Sequence, residues 1–228
     1  MSNRSASQPG QSARRSRALG ATLAELIVVI VITGIVGAVV AVFIMGPVQG
    51  YVDTARRPDL SDKADSALRR MGRDLRLALP NSVRVQGTCD GTTTCLLEFI
   101  PTVAGGRYRG EIDGSDGSGD ILDFTGDDAS GSFDILGPAI TIPAGAWLVV
   151  YNLGLSGADA YAGESTNAHN RRSATAAANT TSVTFSPATR LPFDSPARRF
   201  QIVQQPVTYA CNPAAGAITR HWNYGFND

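Results

Sequence analysis

Histidine, cysteine and net charge are all scarce in this chain. Its 228 residues hold two His, three Cys and 20 basic residues against 20 acidic ones. A zinc site wants four ligands at regular spacing. His169 and His221 lie near no cysteine pair, so no metal ligands are assigned. Nucleophile motifs are missing as well. Gly154-Leu-Ser-Gly157 is one residue short of a nucleophile elbow, and neither histidine accompanies a nucleophile in a motif. Gly105-Gly-Arg-Tyr-Arg-Gly110 reads as a loop, not a phosphate cradle. No catalytic residue is therefore assigned, and the chain is not read as an enzyme. Nucleic-acid binders carry a basic face. A chain with no net charge gives no support for such a partner. No internal repeat is found.

Charge is missing most completely in one stretch. From Leu26 to Met45 there is no charged residue, only an apolar run interrupted by Thr33, Gly34 and Gly37. A helix of that length spans the ~30 Å hydrocarbon core of a bilayer. Glu25 stands at its entrance, and an acid at a membrane boundary is expensive and usually functional. Ahead of it, residues 1–20 contain Arg4, Arg14, Arg15 and Arg17 and no acid. That basic flank places the leader on the cytoplasmic side and the remainder outside the inner membrane. The consensus of a twin-arginine signal is missing around Arg14-Arg15. Removal of residues 1–20 leaves 16 bases against 20 acids, a net charge of −4.

A secretory signal is cut after its apolar region. Here Gly20 precedes the run, and glycine best tolerates a closely approached, extended backbone. Gly20, Thr22, Leu23 and Glu25 ahead of twenty apolar residues resemble the prepilin signal of type IV pilins and type II secretion pseudopilins. Ala21 stands where that family usually has Phe, and Ala24 where it usually has Val or Ile. Tyr51-Val-Asp-Thr-Ala-Arg-Arg57 and the segment Ala67–Arg84 are similar to MshO-type minor pilins of MSHA pilus systems, with the minor pseudopilins of type II secretion close behind. The resemblance is specific over about residues 20–86 and looser beyond. It implies cleavage by a prepilin peptidase after Gly20, N-methylation of Ala21, and a role for Glu25 in assembly. It also implies other pilin subunits as partners, docked through the N-terminal helix, with the inner membrane as first residence. Two rival functions are an adhesive subunit at a fibre tip and a membrane-anchored enzyme.

Pro47, between Gly46 and Gly50, predicts a kink or loosening, and Pro58 a fresh helical start. From Asp59 to Leu79 the apolar residues Leu60, Ala64, Ala67, Leu68, Met71, Leu75, Ala78 and Leu79 form one helical stripe. Asp59/Lys63, Asp65/Arg69 and Arg70/Asp74 are opposite charges at i,i+4. Pro80 is expected to stop the helix. Thereafter short β-rich runs alternate with Gly, Asp, Ser and Pro clusters, the pattern of antiparallel strands. Expected strands are 82–86, 96–101, 121–124, 146–152, 182–185, 200–204, 207–211 and 217–222. Asn212–Gly216 is expected to turn the last hairpin, Pro206 to mark a bulge or edge, and Ser156–Thr181 to be a long exposed loop.

The fold class is α+β: a long N-terminal transmembrane and amphipathic helix packed on a C-terminal antiparallel β domain. The divisions are a leader at 1–20, an apolar helical half at 21–45, an amphipathic half at 46–80 and a β-rich domain at 81–228.

Three sites remain. Cys89 and Cys95 enclose a turn-forming segment and are paired as a disulfide, with Cys211 a competing partner otherwise buried as a thiol. Asp113-Gly-Ser-Asp-Gly-Ser-Gly-Asp120 has the oxygen density of a Ca²⁺ loop but not its spacing, and reads first as a solvated turn. No cofactor is assigned. Trp147 and Trp222 lie in strand-like runs, so core packing is expected and a carbohydrate platform is the alternative.

Overall fold

Two prolines lie inside the long helix without ending it. The computed structural model describes residues 22–112, 117–125, 130–163 and 168–226. Helix α1 runs Leu23–Arg76 with Pro47 and Pro58 both internal. The expected break and restart are therefore not seen as separate helices. A proline deletes one i→i−4 bond, but helix propagation is favourable on both sides once nucleated, and the register resumes. The chain divides into two compact units, one ending at Asp62 and one from Lys63 to Asp228. The final turns of α1 thus belong with the strands, not with the apolar segment.

The helix ends at Arg76, before Pro80 is reached. Backbone bonds of β type capture the chain first. The Leu79 N–H donates to the Ile100 carbonyl at 2.8 Å, and the Thr102 N–H to the Leu77 carbonyl at 2.7 Å. Side chains then pin the exit. Asn152 donates to the Pro80 carbonyl at 2.7 Å, and Asn81 donates to the Asn152 carbonyl at 3.0 Å. The Ser82 hydroxyl donates to Leu79 O and accepts from Ile100 N, so this buried turn keeps its polar groups satisfied.

Among the described residues twelve strands follow: β1 Arg84–Gln86, β2 Cys95–Phe99, β3 Thr102–Arg107, β4 Ser132–Asp134, β5 Ile140–Ile142, β6 Trp147–Val150, β7 Arg171–Ala174, β8 Ala177–Thr180, β9 Ser182–Ser186, β10 Arg199–Val203, β11 Val207–Asn212 and β12 Ala217–Trp222. They form a four-stranded sheet, β1-β2-β11-β12, a six-stranded sheet, β3-β10-β6-β7-β9-β4, and a two-stranded ribbon, β5-β8. Every strand pairing is antiparallel. Pro206 sits where the chain leaves the six-stranded sheet for the four-stranded one, rather than at a bulge within either. The hairpin β11–β12 turns as expected, closed by Gly216 N–H to Pro213 O at 3.1 Å.

Strand β6 shows how the sheet is buried. Leu148 and Val150 face the largest core cluster, with Phe133, Phe185 and Phe200, while Val149 faces a second cluster with Leu79, Ile100 and Tyr161. All three are fully buried, so both faces of the strand are covered. Phe133 is central, with ring centroids at 5.2 Å from Phe200, 6.2 Å from Tyr108 and 6.3 Å from Phe185. A third cluster joins Phe99, Val207 and Tyr209 of the four-stranded sheet to Met71, Leu75 and Ala78. Only this end of the expected stripe is covered; Leu60 and Leu68 remain exposed. Asp65–Arg69 pairs at 2.7 Å as expected. Asp74 turns to the sheet instead of to Arg70, accepting from Tyr209 Oη at 2.7 Å and Arg220 Nε at 3.2 Å.

Three expectations are corrected. Residues 121–124 are not a strand, although Leu122 is buried and its N–H donates to Arg109 O. Gly105 and Gly106 lie in β3, not a loop, because a Cβ at Gly105 would stand 2.9 Å from the Phe200 carbonyl of β10. The 156–181 segment carries β7 and β8 with buried Ala158, Ala160, Tyr161, Arg171 and Arg172. Arg172 is buried because its guanidinium, a planar fan of donors, reaches the carbonyls of His169, Arg171, Thr189 and Arg190.

Candidate functional site

The candidate site is the start of α1 and the apolar surface that follows it. Thr22 is the helix cap. The Glu25 N–H donates to Thr22 Oγ1 at 3.3 Å, and the Leu26 N–H to Thr22 O at 3.1 Å. Thr22-Leu-Ala-Glu25 is thus a T-x-x-E capping sequence. Glu25 also lies in the first turn, where the helix dipole favours negative charge. Sequence reading assigned Glu25 but overlooked this local role for Thr22; the three-residue spacing was the available signal.

Beyond the cap, Leu23–Met45 is a 23-residue segment with no part of its most apolar window buried by the chain itself. Leu, Ile and Val side chains there stand roughly half exposed or more. The segment has the length and composition of a membrane anchor or a signal sequence. Its one hydroxyl is internally satisfied. Thr33 donates to the Val29 carbonyl at 2.7 Å and contacts the Ile30 carbonyl at 3.1 Å, removing the penalty for an unpaired hydroxyl in apolar surroundings. Gly20 and Ala21, the expected cleavage and methylation positions, lie outside the described residues.

The remaining expected sites lie in the second unit. Cys89 and Cys95 are at bonding distance, Cα atoms 4.9 Å apart. Their loop is built around Asp90, which accepts from the Thr92 hydroxyl, the Thr92 N–H and the Thr93 N–H. Those bonds hold its carboxyl well below the usual range. Cys211 is exposed rather than buried. It sits near the hairpin end of β11, beyond the residues that α1 covers.

Asp113 and Asp116 lie outside the described residues. Asp120 is occupied by protein donors, the hydroxyls of Ser130 and Ser132. Among the described residues no three His, Cys, Asp or Glu side chains are grouped as metal ligands. The two histidines do not meet. His169 lies over Gly163, and His221 is exposed beside Thr219 at 2.9 Å.

The tryptophans separate. Trp147 packs edge-on against Phe226, centroids 5.0 Å apart, as core packing predicts. Trp222 does not: it is 63 % exposed at the end of edge strand β12. It flanks a depression of about 540 Å³ lined also by Val207, Arg220, Gln204 and Gln205. A further polar cluster was not legible in sequence. Glu98 accepts from Arg84 at 2.7 Å, Tyr224 at 2.9 Å and Thr208 at 3.1 Å, while the Arg84 guanidinium stacks 3.2 Å from the Tyr161 ring centre. Burial, then the Glu98 charge, raises the Tyr161 hydroxyl. Burial pushes Tyr224 up to about 12. These residues tie the four-stranded sheet to the segment that follows β12.

No family model, no curated protein and no solved structure matches this chain.

Proposed function

We propose that the chain is a minor pilin-like assembly subunit of an MSHA-type type IV pilus. It is inserted in the inner membrane, cut by a prepilin peptidase after Gly20 and then packed by its N-terminal helix among other pilin subunits. The observation that carries this reading is the fully uncovered apolar surface of Leu23–Met45, headed by Thr22 and Glu25. A surface that the chain does not bury must be buried elsewhere, and lipid followed by neighbouring helices supplies two successive environments. The function so read is assembly, without bond chemistry.

Intact mass of the mature protein tests the reading. The expected N-terminus is Ala21, with or without a methyl group, and replacement of Gly20 by a bulky residue leaves an uncut precursor. A mature chain that has lost the apolar helix would overturn it. Deletion should remove surface fibres. A minor pseudopilin of type II secretion is the nearest alternative, and there deletion stops export of folded substrates instead. The exposed Trp222 beside its depression favours a second reading, an adhesive tip subunit, whose deletion leaves fibres that no longer stick.

A further inference from the structure

The antiparallel register of the four-stranded sheet places Cys211 of β11 directly opposite Cys95 of β2. Residues directly opposite project from the same face of a sheet. Their Cα atoms stand about 4.5 Å or 5.5 Å apart, depending on the pair type. Both distances lie within the ~4.4–6.8 Å range that a disulfide spans. Cys95 therefore has two partners in reach: Cys89 across the loop, Cα 4.9 Å away, and Cys211 across the ladder. Cys211 is an exposed free thiol, Cys89 is exposed as well, and Cys95 between them is half-buried, so the nucleophile and the leaving group both face solvent.

We propose that Cys89, Cys95 and Cys211 form an internal thiol–disulfide exchange centre. Cys211 gives its proton to solvent, and its thiolate attacks Cys95 Sγ. The Cys95–Cys211 bond forms as the Cys89–Cys95 bond breaks, and Cys89 leaves as a thiolate that takes up a proton. One S–S bond is exchanged for another, with no net oxidation and no outside reagent.

The two isomers differ physically. In the first, the bond ties the loop between β1 and β2, with a sequence separation of 6. In the second, it clamps β2 to β11 and releases Cys89 from its tie to β2. Cys89 has φ 49°, a left-handed backbone that a non-glycine residue adopts at a cost, so release lets it relax. The Asp90 bonds to Thr92 and Thr93 keep the loop folded, holding Cys89 close enough for the return step. The exchange moves the exposed thiol from the end of β11 to the loop.

The test uses the full chain in detergent, held anaerobically at pH 8 without added thiol or oxidant, then quenched in acid, alkylated and digested without reduction. The expected result is a shift of part of the label from Cys211 to Cys89, with peptides linked through Cys95–Cys211 and one labelled thiol per chain throughout. Label confined to Cys211 overturns the proposal. So does a bond from Cys211 to a second chain in place of one to Cys95. In Cys89→Ser, mild oxidation should lower labelled thiol from two per chain to none, in a monomer. If the folded variant keeps both thiols, the proposal fails. If that variant does not fold, the unaltered chain decides alone.

Discussion

Valine meets opposite surroundings in the two units. Val29 in the helix is 54 % exposed, while Val149 in β6 is completely buried. The residue type is the same, and so is its cost in water, on the order of 25 cal/mol per Å² of apolar surface. The second unit removes that cost internally, by covering both faces of β6 and packing three aromatic rings around Phe133. The apolar segment Leu23–Met45 is left uncovered by the rest of the chain. The two therefore encode different things. The strands specify a fold, and the apolar helix specifies an environment outside the chain. Substitutions should divide the same way, altering domain stability in one unit and partition in the other.

The largest stability effect is expected at Phe133. Phe133→Ala removes the ring that touches Tyr108, Phe185 and Phe200 and leaves a cavity. The expected loss is ~3–5 kcal/mol, read as the shift in urea midpoint of the full chain in detergent. Membrane retention should not change in chains that remain folded. The converse substitution is Val36→Arg. An arginine at the centre of an apolar helix raises the insertion free energy by ~2.5–3.5 kcal/mol, on the order of a hundredfold in partition. The urea midpoint of the β domain should stay where it was. If Val36→Arg lowered that midpoint by as much as Phe133→Ala, the division between the units would be wrong.

The same division governs what sequence could reveal. The apolar helix was legible because nothing in the chain modifies it: length and composition are its whole content. Strand β6 was legible because burial on both faces demands an unbroken apolar run. Strand β7 was not, because its buried residues include Arg171 and Arg172, and the burial of Arg172 depends in part on carbonyls of a distant segment, those of Thr189 and Arg190. Strand β3 was hidden by Gly105 and Gly106, whose small size serves a close approach to β10 rather than a turn. Trp222 was misread because strand periodicity says which side chains share a face, not whether that face is covered. Of the candidate site, Glu25 stood out by its charge at the entrance to an apolar run and by its place after Gly20, Thr22 and Leu23. The opposition of Cys95 and Cys211 required a register that no local pattern contains.

A smaller effect separates the units by pH. Tyr161 and Tyr224 are both raised above the ordinary tyrosine value near 10, chiefly by burial. A raised folded value means that the unfolded chain loses these protons first. Their contribution is therefore intact below about pH 10 and is lost as pH rises towards about 12, the value for Tyr224. Urea midpoints should fall between about pH 10 and pH 12, and Tyr224→Phe should flatten part of that decline. Partition of the apolar helix should stay level over the same range, since residues 26–45 contain no titratable side chain. Level midpoints up to about pH 12 would remove the stabilising role assigned to these hydroxyls.

The smallest stability effect, and the most discriminating, is expected at Glu25. Two roles compete there. Locally, Glu25 follows Thr22 in a capping sequence and lies in the first turn, where a negative charge is worth ~0.3–1 kcal/mol to the helix. Between subunits, its carboxylate would pair with a neighbour's N-terminal amine and set the axial packing register. Glu25→Gln separates them. The amide keeps an acceptor and the length of the side chain, so the local loss is no more than that dipole contribution, and insertion becomes easier because a charge is gone. Thr22→Ala is the complementary change: it removes the cap at a cost of about 1 kcal/mol and keeps the charge. If Glu25 serves only the helix start, Thr22→Ala should harm assembly at least as much as Glu25→Gln, and both should lower helix content by circular dichroism. If Glu25 pairs between subunits, Glu25→Gln should be inserted and cleaved normally yet fail to co-purify with partner subunits, while Thr22→Ala assembles. Normal fibre yield from Glu25→Gln would leave the carboxylate with the capping role alone.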